Sequence, residues 1–388
     1  MSKIFFLAAG MFALGLDAYV VAGLLPGITH SFGISAAEAA QAVTVFTLCY
    51  AIAAPVFATL LSGKPVRRVL VVALAVFSLA NAVSALAGSL TTLLIARAVA
   101  GLGAGLFSPI AVAAAATLVP AEQKGRALGL TLGGMSTGTV IGVPIGLLIS
   151  DMFGWQGALW LVTGIGLIGL FGVLFGFPNV PVTPPPSLKQ RLAMVTNGRV
   201  AATVGITFLT AVASLGLYTY VSPILQASSG IESITPYLWF WGVGGVIGSF
   251  AIGSLIDKTG KPGYLLTGIL SILMLALFSI PAAIHLGPLA FLPFLLWGAM
   301  GWASLAPQQH ALLALQPEHG AAVVALNSSC NYLGSAVGTM LGGALIAYGL
   351  NPSKLPYFAG MVALAALAGH LLMQVMASKH RGSTDGPD

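Results

Sequence analysis

Long apolar runs separated by short polar breaks fill almost the whole chain. A helix that crosses a hydrocarbon layer of about 30 Å needs roughly 20 apolar residues, and the runs reach that length twelve times. The first six spans are expected near residues 4–28, 39–62, 67–88, 90–117, 126–150 and 154–177. The other six are expected near residues 198–225, 233–256, 262–285, 287–315, 319–349 and 355–377. We therefore predict an all-α polytopic membrane protein with both termini on the same side.

A proline-rich stretch divides the spans into two groups of six. This stretch, Pro178–Leu192, reads PNVPVTPPPSLKQRL. Prolines cannot support a helix interior, so an extended connector is expected there. The pattern predicts a first six-helix bundle at residues 1–177, a cytoplasmic linker at 178–197, and a second six-helix bundle with a short tail at 198–388.

The two halves repeat sequence features in the same order. LLSGKPVRRVL after the second span lines up with SLIDKTGKPGYLL after the eighth, which pairs Arg67 with Lys261 at an offset of 194. Glycines at steps of four occur in the fifth and eleventh spans, and pairing them gives an offset of 196 or 200. Two parallel six-helix repeats about an axis along the membrane normal are the expected plan.

Composition and charge support the same prediction. Of 388 residues, 57% are hydrophobic and 6% are charged, whereas a soluble protein has about 25% charged residues. Thirteen Lys and Arg residues lie on the side of the N-terminus and only Lys354 on the other, while Arg97 lies within a span. The positive-inside rule therefore predicts cytoplasmic termini. The net charge of +6 is a topology signal, and no nucleic-acid partner is expected.

Asp17 and Arg97 are the two charges expected inside the membrane. An aspartate in the middle of a membrane helix costs about 2.5–3.5 kcal/mol on insertion scales, so it indicates a functional site. Asp17 is expected roughly 20 Å from the inner surface and Arg97 roughly 10 Å below the outer one. In a layer of about 30 Å these depths coincide, so the side chains can pair. We favour a role in proton coupling over a static ion pair that only fixes helix packing.

Two features are expected to control the ends of a pathway. The fifth span carries a row of glycines and a proline: Gly134, Gly138, Gly142, Pro144 and Gly146. Such a row either packs helices closely or also seals the outer end of a pathway and lets the halves rock. In GSLIDKTGK, Asp257 precedes Lys261, and its carboxylate could accept from a neighbouring helix start as a cytoplasmic latch. An ordinary charged loop is the alternative.

Polar and aromatic residues of the spans are candidates for a substrate cavity. Asn327 and Asn331 lie one helical turn apart, where buried amides either line a cavity or join helices. The other cavity candidates are Tyr19, Tyr218, Gln308, Gln309 and His310. Most of the aromatic residues Tyr218, Tyr220, Trp239, Trp241, Trp297 and Trp302 are expected to be membrane-interface anchors, with a substrate cage as the alternative. The spacing of the histidines and of Cys49 and Cys330 predicts neither a metal site nor a disulfide.

Several motifs together resemble the major facilitator superfamily: GSLIDKTGK, IARAVAGLGAG and GTVIGVPIGLLISDMFGWQGALW. The third is similar to the fifth-span motif of proton-driven antiporters, and Arg97 matches the arginine of the fourth-span motif. LGLDAYVVAGLLP, SLAPQQHALLALQP and ALNSSCNYLGSAVGTMLGG look most like the twelve-span drug:proton antiporter group, in the branch of bacterial sugar, purine-nucleoside and chloramphenicol exporters. Three positions depart from the pattern. Asp17 replaces the usual glutamate, Gly63 stands opposite Asp257 in the other half, and Gln156 replaces a usual arginine.

The resemblance implies a monomeric secondary transporter of the bacterial inner membrane that exports a small molecule in exchange for protons. The proton gradient would drive this transport, and no cofactor is expected. Asp17 would take a proton from outside, release Arg97, and give the proton up inside. A sugar or nucleoside uniporter or proton symporter with a structural Asp17 is the alternative. A channel fits two inexact repeats less well. An enzyme would need a nucleophile or metal set, such as His310, His319 and Glu318 around a metal. The few acidic groups favour a neutral or weakly polar substrate.

Overall fold

The computed structural model describes residues 2–60, 64–120, 123–178, 188–231 and 233–384, and within these ranges it is almost entirely helical. The first helices are α1 Ser2–Phe32, α2 Ala36–Leu60, α3 Val66–Ala85, α4 Leu90–Thr117, α5 Lys124–Thr137 and α6 Val143–Gly176. They are followed by α7 Leu188–Met194, α8 Gly198–Tyr218, α9 Val221–Ser229, α10 Thr235–Thr259 and α11 Pro262–Ala283. The last helices are α12 Phe291–Ala303, α13 Leu305–Leu315, α14 Gly320–Ala347 and α15 Leu355–Thr384. Gly63 and residues 179–187 of the predicted connector lie outside the described residues.

The described chain has eleven helical segments that are long and apolar enough to cross a membrane. One of them, Arg126–Gly176, has 51 residues and would be about 75 Å long at 1.5 Å per residue, more than twice the thickness of a hydrocarbon layer. Gly154 breaks this run with φ 75° and ψ 170°, a conformation that glycine adopts far more readily than other residues. The run therefore contains both the fifth and the sixth span. The prediction of twelve spans in two six-helix bundles is confirmed.

Three segments differ in detail from the predicted pattern. The seventh span consists of α8 and α9, with a break at Thr219 and Tyr220. The tenth begins with a 3₁₀ turn at Gly287–Ala290 and continues as α12 and α13. The predicted extended connector contains the helix α7, because its prolines end at Pro186 and the following LKQRLAM consists of good helix formers.

The two bundles share one pattern of neighbouring helices. In the first bundle, α1 packs on α5 and α6, α3 packs on α4 and α6, and α2 packs on α4. In the second, α8 packs on α14 and α15, α11 packs on α12 and α15, and α10 packs on α12. Each contact of the first bundle has its counterpart in the second, as parallel repeats require.

Glycine contacts give the alignment of the two repeats. The paired contacts are Gly134 on Ala8 with Gly334 on Phe208, and Gly138 on Phe12 with Gly338 on Val212. All four residues of the first bundle lie 200 positions before their counterparts, so the offset of 200 is correct for the glycines and that of 196 is not. A Cβ at any of these glycines would overlap a carbonyl oxygen of the facing helix. The helix backbones therefore approach as closely as glycine allows.

The loops define two ends of the molecule. We call the end that holds the loops after α2 and α10 the basic end, because Lys64, Arg67, Lys258 and Lys261 lie there. The loops after α1, α3 and α9 lie at the opposite end. The bundles contact each other through α2 and α14, through α1 and α9, and where α10 meets the π-helical turn Gly138–Gly142 and α6.

Candidate functional site

An ion pair lies buried inside the first bundle. Arg97 Nη1 on α4 donates to Asp17 Oδ1 on α1 at 2.6 Å. Asp17 is 0% exposed and Arg97 is 1% exposed, so neither charge reaches solvent. Buried charges are costly unless they are paired and hydrogen-bonded. The two side chains expected at matching depths are therefore in direct contact.

Asn81 of α3 completes this group, which we call the charged cluster: Asp17, Asn81 and Arg97. Asn81 Nδ2 donates to Asp17 Oδ2 at 3.2 Å, and Asn81 Oδ1 accepts from Arg97 Nη1 at 3.1 Å. The sequence interpretation missed Asn81, although it is the one amide in an otherwise apolar α3 apart from serines and two arginines near the basic end. A single buried amide thus contacts both charges and ties α1, α3 and α4 together.

An aromatic ring covers the guanidinium from the side of α2. Arg97 Cζ lies 4.2 Å from the ring centroid of Phe46, within the range of a cation–π interaction. Phe46 is itself buried. Arg97 Nε has no hydrogen-bond partner among the described residues, so this arrangement leaves one guanidinium donor unused. The charged cluster connects α1, α3 and α4, and its contact with Phe46 adds α2.

A cavity of about 830 Å³ lies between the two bundles. It extends from Tyr19 and Trp302 to Leu313 and Gly320 at the basic end, and Leu313 is exposed there. Its volume is within the range of about 300–1,000 Å³ that small-molecule sites have. Among the described residues, no member of the charged cluster lines this cavity. Asp17 therefore lies on α1 outside the cavity lining, whereas Met11 and Tyr19 of the same helix line the cavity.

The two walls of the cavity differ in chemistry. The first bundle contributes mainly apolar side chains, such as Met11, Val112 and Met135. The second bundle contributes hydroxyl and amide groups, among them Thr210, Ser214, Gln309, Asn327 and Asn331. The described lining residues include no Lys, Arg, His, Asp or Glu.

Asn327 both joins helices and lines the cavity. Thr207 Oγ1 on α8 lies 2.6 Å from Asn327 Oδ1 on α14, and the same hydroxyl donates to Gln308 Oε1 on α13. These three buried side chains, which we call the amide cluster, connect three helices of the second bundle. Both roles considered for Asn327 from its sequence position are thus present together.

Five rings form an aromatic layer at the end of the cavity away from its exposed mouth: Tyr19, Tyr218, Trp241, Trp297 and Trp302. The Tyr19 ring centroid lies 5.5 Å from that of Tyr218, 5.6 Å from that of Trp241 and 5.9 Å from that of Trp302. Tyr19 comes from the first bundle and the other rings from the second. The layer therefore spans the contact between the bundles.

The expectation that most of these aromatic residues anchor the protein at the membrane interface is wrong. Tyr218, Tyr220, Trp241 and Trp297 are all buried, whereas Trp239 is 45% exposed. Trp239 and Trp241 are two residues apart on one helix, so their side chains point to nearly opposite faces. Composition alone does not distinguish an aromatic side chain that faces lipid from one that faces the other bundle.

The two bundles are in contact beyond the cavity. The Tyr50 ring on α2 packs against Tyr332 on α14 with centroids 3.9 Å apart, and both residues line the cavity near the middle of their helices. Further along the same helix pair, Gly343 faces the backbone of Ala37. The cavity therefore extends toward the basic end only.

The other predicted cavity residues divide by helix face. Gln309 and Asn331 line the cavity, and Gln308 is buried beside it. His310 is exposed and is not among the lining residues, so its assignment to the cavity is wrong. At about 100° per residue, His310 points roughly 200° away from Gln308.

The glycine row of the fifth span packs within its own bundle. Its members face α1 at Ala8, Phe12, Leu16 and Val20. They lie at Gly134, Gly138, Gly142 and Gly146, and Pro144 begins α6 beside them. The contact with the second bundle comes instead from Val140, which lies near Gly242. The row itself therefore does not form a seam between the two bundles, because its open face is filled by α1.

The latch proposed for Asp257 makes no contact among the described residues. Asp257 is exposed at the end of α10 and has no hydrogen-bond or ion-pair partner among the described residues. Lys261 is exposed at the start of α11. Arg67 donates through Nη2 to Leu174 O in the last turn of α6, where a cation is favoured by the helix dipole.

A membrane protein of two parallel six-helix repeats, with a cavity between them that is closed at one end, belongs to the class of secondary transporters. The sequence profile of the Major Facilitator Superfamily matches residues 7–339. The chain therefore belongs to the Major Facilitator Superfamily, a family of membrane transporters and not of enzymes.

Relatives in two bacteria cover nearly the whole chain. The uncharacterized MFS-type transporter YbcL of Bacillus subtilis (strain 168) is 30% identical over 347 residues, which cover 89% of this chain and 88% of YbcL. The inner membrane transport protein YdhP of Escherichia coli (strain K12) is 30% identical over 363 residues, which cover 93% of each chain. A chloramphenicol resistance protein of Streptomyces lividans is 31% identical over 261 residues, or 66% of this chain and 67% of that protein.

Solved structures show the same fold. The D-xylose-proton symporter has a TM-score of 0.75 at 19% identity, covering 95% of this chain and 96% of that chain. A bacterial homologue of the human lysosomal transporter Spinster, in an inward-facing and occupied conformation, has a TM-score of 0.71 at 17% identity, covering 96% of each chain.

Proposed function

We propose that this transporter exports a small, uncharged or weakly polar molecule from a bacterial cell in exchange for protons. The observation that carries the proposal is the charged cluster. A carboxylate that can take a proton lies fully buried in contact with the one cation it would release. An intramembrane ionisable group of this kind is typical of proton relays.

Protonation of Asp17 removes the charge that holds Arg97. The ion pair then loses its Coulomb attraction, and α1 and α4 are no longer joined at this point. Tyr19 lies two residues further along α1, contacts Tyr218 and Trp241 of the second bundle, and lines the cavity. A change in the packing of α1 therefore reaches the aromatic layer. This is the connection through which proton binding and cargo release are coupled.

The proposed topology supports outward transport. With the basic end in the cytoplasm, as the positive-inside rule favours, both termini are cytoplasmic and the cavity is open to the cytoplasm. Cargo enters from inside, and protons reach Asp17 after the cavity has turned outward. The gradient supplies the free energy, so the cycle needs no cofactor, and each monomer contains all of the groups involved.

The latch belongs to the other half of this cycle. Asp257 has no described partner while the basic end is open. When that end closes, its carboxylate would accept hydrogen bonds at the start of a facing helix, where the dipole favours an anion. The name of one relative, an inner membrane transport protein, supports the proposed location, and the name of another, a chloramphenicol resistance protein, supports export.

The test is Asp17→Asn, which keeps the shape of the side chain but removes its proton site. A pump-deficient bacterium first identifies the exported compound among chloramphenicol, pentoses and purine nucleosides. In proteoliposomes carrying the purified variant, a proton gradient should then fail to drive accumulation of that compound, because the driving ion no longer binds.

Asp151→Asn is the matched control, because it makes the same substitution at an exposed aspartate. This variant should export normally. Gradient-driven export by Asp17→Asn at the wild-type rate would contradict the proposal. If the wild-type protein moves the compound in the same direction as the protons, it is a symporter and not an antiporter.

A further inference from the structure

The guanidinium of Arg97 has two neutral partners besides the carboxylate of Asp17. Asn81 Oδ1 accepts from Arg97 Nη1 at 3.1 Å, and the ring centroid of Phe46 on α2 lies 4.2 Å from Arg97 Cζ. Neither contact uses the carboxylate. When Asp17 takes a proton, Arg97 stays a cation, because a guanidinium is not deprotonated in proteins. Its partners are then an amide oxygen and an aromatic ring.

No second carboxylate of the described helices around Arg97 replaces that of Asp17. Glu38 is the other acidic residue of α1 to α5, and it lies in the first turn of α2, about 12 Å along that helix from Phe46 at 1.5 Å per residue. The remaining Lys, Arg and His residues of these helices all lie in a first or last turn. A buried cation without a counter-charge is costly, and a cation–π interaction is stronger when it is desolvated. The Phe46 ring therefore stabilises the cation most when Asp17 is neutral.

The backbone holds Phe46 against α4. Gly101 lies one helical turn after Arg97 on the same face of α4, and a Cβ at this glycine would overlap Phe46 O. Gly105, one turn further along, meets Tyr50 O in the same way. These contacts do not involve α1, so α2 and α4 remain together at the level of Arg97 whether or not the ion pair is intact.

We propose that Phe46 is the second partner of the Arg97 cation and holds the guanidinium when a proton neutralises Asp17. Protonation then frees α1 alone, while α2 and α4 stay joined through the ring and the glycine contacts. Phe46 is a positioning residue, because it acts on the cation and is not among the residues that line the cavity. This inference rests on the proposed function in taking Asp17 as the proton site. It adds the helix that is released and the residue that keeps the cation in place.

Thermal unfolding of the purified full-length protein in detergent tests this role. Asp17→Asn imitates the protonated state, because an amide carries no charge. Trifluorophenylalanine at position 46 keeps the ring but removes the negative potential of its face, on which a cation–π interaction depends. Fluorination should lower Tm by about 2–6 °C more in Asp17→Asn than in the wild type, since the carboxylate no longer neutralises the cation there.

Matched variants separate the cation–π interaction from packing. Phe107 is also a fully buried phenylalanine of the first bundle, and its ring packs on Gly10 of α1. Trifluorophenylalanine at position 107 should change Tm equally in both backgrounds. Phe46→Leu should show the same dependence on Asp17→Asn as fluorination does, and Phe46→Tyr, which keeps the ring, should not. Equal Tm changes at position 46 in both backgrounds would overturn the proposal, because packing alone then explains this residue.

Transport gives a second readout, which a purely structural role would not divide. Gradient-driven export passes through the protonated state, whereas exchange of labelled for unlabelled cargo at equal pH uses only the cargo-loaded states. The probe is radiolabelled chloramphenicol, adenosine or D-xylose, whichever the export screen selects. Phe46→Leu should lower gradient-driven export about tenfold, the effect of losing a desolvated cation–π interaction, and leave exchange near the wild-type rate. Equal losses of export and exchange would contradict the proposal.

The Tm comparison is independent of proton coupling, because it needs neither cargo nor a gradient. If Asp17→Asn exports normally, coupling through Asp17 fails, and the four Tm values still show whether Phe46 is the second partner of Arg97. If Asp17→Asn abolishes export while fluorination at position 46 acts equally in both backgrounds, the proposed function stands and the role of Phe46 is refuted.

Discussion

Replacement of Arg97 by methionine tests how strongly the charged cluster depends on its ion pair. Arg97→Met keeps a long, unbranched side chain on α4 but removes the cation. Asp17 is then left fully buried, with Asn81 as its remaining hydrogen-bond donor among the described residues. The variant therefore isolates the cost of a buried carboxylate that has lost its partner.

The contacts of Arg97 set the magnitude. Breaking a buried ion pair by removing one partner costs about 3–5 kcal/mol. Loss of the contact with the Phe46 ring, at 4.2 Å, adds about 0.5–2 kcal/mol. The combined cost of about 3.5–7 kcal/mol lowers Tm by about 7–28 °C in a unit of 150–250 residues. The double variant Asp17→Asn with Arg97→Met buries no charge, so it should recover most of this loss.

Thermal unfolding in detergent, followed by tryptophan fluorescence, measures this loss of stability. Arg67→Met is the control, because Arg67 contacts a backbone carbonyl and no carboxylate among the described residues. Its loss of stability should be small. Equal Tm values for Arg97→Met and the wild type, or a double variant as unstable as Arg97→Met, would refute the reasoning.

Three further substitutions test packing in the second bundle. Gly338→Ala places a Cβ against Val212 O and should cost about 1–3 kcal/mol. Gly205→Ala meets open space and should be neutral or stabilising by up to about 1 kcal/mol. The Tm should therefore fall in the first variant and stay unchanged or rise in the second. Trp297→Phe removes the bond from Nε1 to Ser214 Oγ at 2.8 Å and should cost about 1–3 kcal/mol, measured by the same unfolding assay, with an unchanged Tm as the contrary result.

The spans and the ion pair could be predicted because the bilayer restricts both. Backbone groups in hydrocarbon must be bonded within their own helix, so an apolar run of sufficient length has one available structure. The same limit makes depth calculable from position in a span, which is why Asp17 and Arg97 could be paired before their contact was known. Predicting this pair required only the depth of each residue and no information about how each helix is rotated about its axis.

Rotation of each helix about its axis is what the sequence did not provide. Asn81 resembles Asn327 and Asn331 as a lone amide in an apolar span, and nothing local indicates that it faces two charges. His310 was expected in the cavity because it lies with Gln308 and Gln309 shortly before the end of the tenth span, although neighbouring residues on a helix point about 100° apart. Such choices depend on neighbouring helices, which a single sequence does not identify.

The charged cluster lies wholly in the first repeat, whereas the amide cluster and most hydrogen-bonding groups of the cavity lie in the second. Duplication of a six-helix ancestor would have given both repeats the same residues, so the two copies have since specialised in different chemistry. A chimaera that joins residues 1–177 of this chain to the second half of a relative would thus inherit the ionisable centre of one parent and the ligand-facing wall of the other.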